Sequence, residues 1–296
     1  MKKSFCIFIL LGFLNFSCVY DYDGKLPVSE SIPVLNGILY TDSLFSFNLF
    51  WSDDLLIKDV EAIRGASVKL KKNGEFVNNI YNTERKYYLN DTCLNGDKFE
   101  VEIDIPDKPT IFSKTVIPQK PDIQINAIEI SDEERQAFAY NLSIKNISDD
   151  INTLYCYVFL GEYLQDSTLV WEQRSIYCDS PQADAFNRYF DSWAPSGFSY
   201  EYENFIRFPS DNLINNKLKT KLAFIGSRDA VRIYVLAATK EFDLYFKGGY
   251  LQRSFNPDIN LPFTYQPIFL PSNIKGGAGI FAGVDLSLFE FPKTKQ

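Results

Sequence analysis

The chain has 296 residues, a formal net charge of -8, 26 Phe and 18 Tyr against a single Met, and no histidine. An acidic chain repels phosphate backbones, which argues against nucleic acid as a partner, and the absence of histidine removes Ser-His and Cys-His nucleophile pairs together with the commonest zinc ligand. The aromatic content suits pleated, half-buried strands, and the length suits two domains, each with its own core.

Lys2 and Lys3 precede an apolar stretch from Cys6 to Leu14, and Ser17 precedes Cys18. The apolar run is far short of the roughly twenty residues of a spanning helix, so residues 1–17 read as a signal peptide. The pattern resembles a bacterial lipobox, in which a small residue before a cysteine positions its thiol for diacylglycerol. Asn15 and Phe16 stand where that pattern prefers Leu and a small residue. The expectation is a lipid anchor on Cys18, with several acyl chains on one residue giving durable attachment to a membrane. Residues 18–32 form a polar tether; Asp21 and Asp23 read first as part of a solvated linker and also resemble, weakly, the surface-export signals of Bacteroidetes lipoproteins.

From Pro33 the chain reads as short strands. Pro33 to Tyr40 is one, and Leu44 to Trp51 alternates Phe45, Phe47, Leu49 and Trp51 against Ser46 and Asn48. Ala66 to Lys71 leads through a Lys72-Asn73-Gly74 turn into Phe76 to Tyr81, then Lys86 to Asn90, Phe99 to Ile105 in strict period two, and Ile111 to Ile117. About seven strands in this length predict an immunoglobulin-like β-sandwich over 33–118, with the boundary at Pro118 and Pro121.

Residues 119–296 read as a second antiparallel β domain with one or two short helices. Strands are expected at Ile123 to Ile130, Ala137 to Lys145, Lys219 to Ile225 and Val231 to Ala237, the last two joined by a turn at Arg228-Asp229. A hairpin is expected from Thr153 to Leu160 and back from Leu169 to Cys178, turning at Gln165-Asp166-Ser167. Thr239 reads as the N-cap of a helix over about 240–250, with Phe242, Tyr245 and Phe246 on one face and an end at Gly248-Gly249.

Two clusters bear on chemistry. Cys156 and Cys178, on the two arms of the expected hairpin, form either a disulfide or, with Cys93, three separate buried thiols. The segment Asp179 to Phe208 interleaves aromatic residues with charged ones; its rings either cover a sheet or, through Tyr189, Trp193 and Tyr200, line a contact surface for a glycan, peptide or protein partner. Acidic pairs such as Glu201 with Glu203, or Asp53 with Asp54, fix no geometry for glycoside hydrolysis, and no phosphate loop is present. No catalytic residue, metal or cofactor is assigned.

The glycine-rich run Ser272 to Gly283 permits a tight turn or close backbone approach before Ile280 and Phe281 enter a core. Together with the Thr239-to-Tyr250 helix, Pro262-Phe263, Val34 to Leu39, Gly65 to Leu70, Thr115 to Pro121 and Phe208 to Asp211, this run resembles the Bacteroidetes lipoprotein family called domain of unknown function 4249. Asn215-Asn216 replaces the glycine turn usual there, a change Asn tolerates because it adopts positive φ. The resemblance implies an outer-membrane lipoprotein, periplasmic or surface-facing, often associated with TonB-dependent transporters, and implies no activity. The expectation is therefore a non-enzymatic ligand-binding or accessory component of a nutrient uptake system, with an adhesion or structural surface module as the alternative.

Overall fold

The computed structural model describes residues 31–52, 61–128, 137–164, 168–226, 229–254 and 270–292. The leader, Cys18, most of the tether, Asp53, Asp54, the Gln165-Asp166-Ser167 turn, Arg228 and Pro262-Phe263 lie outside them. In chain order the strands are β1 (Pro33–Tyr40), β2 (Leu44–Trp51), β3 (Ser67–Lys72), β4 (Glu75–Val77), β5 (Tyr81–Thr83), β6 (Lys86–Thr92), β7 (Lys98–Asp104), β8 (Ile111–Val116), β9 (Asp122–Ile128) and β10 (Ala137–Lys145). They continue with β11 (Thr153–Tyr163), β12 (Leu169–Arg174), β13 (Ile176–Tyr177), β14 (Arg188–Phe190), β15 (Tyr200–Tyr202), β16 (Ile206–Pro209), β17 (Leu218–Ile225), β18 (Ala230–Ala238) and β19 (Ala278–Pro292). One α-helix, α1 (Lys240–Ser254), lies between the last two strands. The molecule is mostly β, as its alternating sequence requires.

A large sheet in the order β12-β11-β18-β19-β1-β2-β6-β5, with β16 also paired to β11, carries two smaller sheets on one face. The first small sheet, β4-β3-β7-β8, covers β1, β2 and β6. Its period-two strands put Phe99, Val101 and Ile103 opposite Leu35, Phe45, Phe47 and Leu49, all buried. The Asn73-Gly74 turn has φ of 55° and 87°, the paired positive values that match strand twist in a two-residue hairpin. The expected strand Phe76 to Tyr81 is split. β4 pairs with β3, whereas β5 pairs with β6, so the chain changes sheets between them, and Phe76 and Tyr81 are left exposed.

The expected division at Pro118 does not separate two closed units. β19 enters the middle of the large sheet: residues 278–284 run parallel to β1, and residues 284–292 run antiparallel to β18. Its Phe281 is fully buried in the core of the first sandwich, while Phe289 and Phe291 pack against the core of the second. Residues 33–118 therefore lack a strand and a core side chain that only the far end of the fold supplies. At the junction the Asn95 side-chain amide lies 2.8 Å from the Pro118 carbonyl and 3.0 Å from the buried Asp285 carboxylate on β19.

The second small sheet, β14-β15-β13-β17-β10-β9, covers β11, β16 and β18. Tyr140, Leu142, Ile144, Leu222 and Phe224 face Leu154, Cys156, Val158, Ile233 and Val235 across this core. Asn215 and Asn216 take φ of 53° and 54° in the turn before β17, as expected of asparagines standing in for glycine. The hairpin of β11 and β12 forms, but Cys178 does not lie on it. The chain leaves β12 after Arg174 and crosses to the other sheet, so Cys178 follows β13 and faces Cys156 from the opposite side of the core. Cys93, Cys156 and Cys178 are all free thiols. Burial raises the pKa of all three, that of Cys93 to about 12.

Helix α1 packs on the other face of the large sheet. Phe242 stacks on Phe246 at 5.7 Å, and both rings meet Tyr155 edge-on, beside Ile280, Ala282 and Val284. Thr239 begins the helix through its carbonyl, which accepts the Asp243 N–H at 3.0 Å, but its buried hydroxyl has no partner, so it is not a side-chain cap. The helix also runs past Gly248-Gly249 to Ser254. These glycines serve close approach instead: a Cβ at Gly248 would stand 3.1 Å from Pro271.

Candidate functional site: the outer face of the second small sheet

Strand pairing sets out this outer face row by row. One row runs Ile128, Ala139, Ala223, Tyr177, Glu201, Tyr189 across β9, β10, β17, β13, β15 and β14. Small residues in the middle of the row leave room for a covering loop. Residues 191–199 fill it, resting Ala194 and Phe198 on Ala139, Tyr177 and Ala223.

The loop is fastened at both ends. Tyr177 Oη donates to Asp191 at 3.0 Å, the other oxygen of Asp191 accepts the Trp193 N–H at 2.8 Å, and Asp191 N–H reaches the Ser199 carbonyl at 3.0 Å. At the far end, Asp179 accepts the N–H groups of Ser199 and Tyr200 at 2.9 and 3.1 Å. Trp193 is thereby presented with 75% of its surface exposed, and Tyr189 is 47% exposed. Burial and the neighbouring Glu201 carboxylate push the Tyr189 hydroxyl up to about 12, so it stays a neutral donor at physiological pH.

The three aromatic residues singled out in the sequence do not form one surface. Tyr189 lies opposite Glu201 on the outer face, whereas Tyr200, one register position away, turns inward and packs against the core. Arg188 lies over the Tyr200 ring at 4.2 Å and Phe190 meets it at 6.2 Å. The alternation of side chains along a strand decides this, since neighbours point to opposite faces. The segment's Phe198 thus covers the sheet, while Trp193 and Tyr189 stay exposed.

Beside the loop lies a groove of about 850 Å³ lined by polar rungs on β9, β10 and β17. Asn141 pairs across to Asn126 and Lys221, and Ser143 to Gln124 and Lys219. Phe198 and Ile214 form apolar edges. Trp193 and Tyr189 are not among its lining residues. Sequence reading missed this groove, although the alternation Asn141, Ser143, Lys145 against Leu142, Ile144 marks a solvated face; nothing local shows which strands stand next to it.

A buried polar cluster also escaped the sequence. Arg207 on β16 grips Asp243 on α1 through Nε–Oδ1 at 2.8 Å and Nη2–Oδ2 at 2.6 Å and also bonds Asp184. Tyr155 Oη donates to Asp243 at 2.6 Å. Burial raises the Asp243 pKa, but the hydrogen bonds from Arg207 and Tyr155 outweigh it and hold the carboxyl below the usual range. With Arg207, Tyr155 and Asp243 enclosed and Asp184 at its partly exposed rim, this cluster ties the helix to the sheet. Among the described residues, no group of three or more Asp, Glu or Cys is placed to hold a metal ion, and no helix is long and apolar enough to cross a membrane.

Comparison with known proteins gives a family-level result. No curated protein matches the chain. A mutant of Salmonella alpha-2-macroglobulin matches among solved structures at 12% identity, covering 74% of this chain and 14% of that one, with a TM-score of 0.23. The chain thus spans a small part of the solved structure it matches. The family model described as Domain of unknown function (DUF4249) matches residues 19–287, the whole of the two sandwiches through most of β19, and the chain belongs to that family.

Proposed function

We propose that this protein is a lipid-anchored, non-enzymatic binding component of an outer-membrane nutrient uptake system, tethered through Cys18 and working beside a TonB-dependent transporter. The observation that carries the reading is Trp193, held out from the body by a loop fastened at Asp191 and Asp179. A large ring kept exposed on a rigid support pays its ordering cost before a partner arrives, which is the arrangement of an anchor residue in recognition. Tyr189 adds a neutral hydroxyl on the same face of the sheet. The lipobox-like leader supports membrane attachment, and the lack of histidine supports a binding role over a hydrolytic one.

The test is affinity capture from detergent-solubilised membranes with the full lipidated chain. A TonB-dependent transporter should copurify with the wild type and be depleted with Trp193→Ala. Equal recovery with both proteins would remove Trp193 from the reading; a fimbrial or adhesin partner instead would favour a surface spacer, a role also suited to two sandwiches joined by one continuous sheet.

A further inference from the structure

We propose that the groove on β9, β10 and β17 is a binding site for an acidic oligosaccharide, a glycan whose sugars carry carboxylates. The site is separate from the Trp193 shoulder and goes beyond the uptake reading.

The first argument is charge. In a chain of net charge -8, the groove collects Lys145, Lys219 and Lys221, all exposed. Lys219 and Lys221 are two residues apart on one strand and therefore project from the same face, roughly 7 Å apart. Lys145 extends the line on the neighbouring strand. Asp179, the carboxylate lining the groove, is already engaged by the N–H groups of Ser199 and Tyr200, and Asp122, opposite Lys145, accepts from Asn146. Solvated sheet faces ordinarily intersperse both signs of charge. Here, among the described residues, three exposed ammonium donors line one concavity.

The second argument is the rest of the lining. Gln124, Asn126, Asn141 and Ser143 offer carboxamides and a hydroxyl in two parallel rungs, donors and acceptors suited to sugar hydroxyls. Phe198 and Ile214 supply apolar edges against which the C–H face of a pyranose can lie. An acidic peptide fits less well. The groove crosses the face of a sheet in which β10 and β17 each already lie between two paired strands, so across those strands it offers no ladder for an extended chain, and only the outer edge of β9 could add one.

Isothermal titration of the full chain with tetragalacturonate tests the proposal, with the carboxyl-reduced tetrasaccharide, an octaglutamate peptide and inorganic phosphate as comparisons. Tetragalacturonate should bind, and the carboxyl-reduced sugar should bind at least about tenfold more weakly, the loss expected when one charge-assisted hydrogen bond goes. The Lys219→Gln/Lys221→Gln variant, altered only at exposed positions and checked for its fold by circular dichroism, should lose affinity for tetragalacturonate to a similar degree. Absence of tetragalacturonate binding, equal affinity of the double variant, or preference for octaglutamate or phosphate would each overturn it. The variant keeps Trp193, so transporter capture is read independently, and failure of one proposal does not resemble failure of the other.

Discussion

Arg207 and Asp243 meet side-on, two nitrogens to two oxygens, although one belongs to a four-residue strand and the other to the first turn of α1. Both are nearly enclosed, at 7% and 2% exposure. Removing the guanidinium leaves a buried carboxylate without its counter-charge. Arg207→Ala is therefore expected to destabilise the fold by about 3–5 kcal/mol, and Arg207→Met with Asp243→Leu by clearly less, since the pair disappears together. Urea unfolding of the three proteins checks the order; equal losses would mean the pair contributes no more than its packing.

The same carboxyl gives a pH dependence. Its folded pKa lies below the unfolded value, so its contribution is complete above the unfolded pKa of about 4 and is lost as pH falls through the lower folded value. An acid titration of stability should show this loss in the wild type and a shallower one in Asp243→Asn. Parallel curves would assign acid unfolding to other groups.

Close backbone approach makes two glycines sensitive. A Cβ at Gly279, where φ is +109°, would stand 2.1 Å from the Leu35 carbonyl oxygen; at Gly283 it would stand 2.0 Å from that of Val116. Either oxygen is part of a paired strand and cannot swing aside. Gly279→Ala and Gly283→Ala should each cost about 1–3 kcal/mol or more, while Gly197→Ala, in open space but at positive φ, should cost only about 1 kcal/mol. Thermal melts of the three variants rank them.

Cysteine accessibility separates the two readings of the thiols. Cys93, Cys156 and Cys178 are buried and free, with burial disfavouring the thiolate. Alkylation at pH 8 followed by peptide mass spectrometry should leave all three unmodified in the native protein and modify all three in guanidinium without reductant. Resistance of Cys156 and Cys178 in guanidinium, relieved by reductant, would reveal a bond between them.

Trp193→Ala should change stability by no more than about 0.5 kcal/mol, as befits an exposed side chain, while depleting the captured transporter. A large loss of stability would recast the loop as a structural brace.

Local strand patterns were legible in the sequence because alternation reports burial directly: Phe45, Phe47 and Leu49, or Phe99, Val101 and Ile103, announce their face without help from the rest of the chain. Turn chemistry was legible for the same reason at Asn73-Gly74 and Asn215-Asn216. What failed was long-range. The pairing of Val34 with Ala278 joins residues far apart in the chain and leaves no periodic mark, so the boundary at Pro118 looked like a division between closed units. Tyr200 drops out of the candidate surface by parity alone: Tyr189 and Tyr200 are both aromatic and near each other, yet side-chain alternation across the β14–β15 pair sends them to opposite faces. Cys178 was misplaced because the chain changes sheets at Ser175, between two runs that read as one arm.

The position of β19 also orders events in time. A ribosome delivers Pro33 long before Phe281, so the first sandwich emerges with a gap beside β1 and an unfilled place in its core. Completion waits for residues 278–292, which then close both halves in one step. A polypeptide wired in this manner remains pliable until nearly its whole length is available, and acquires its rigidity last.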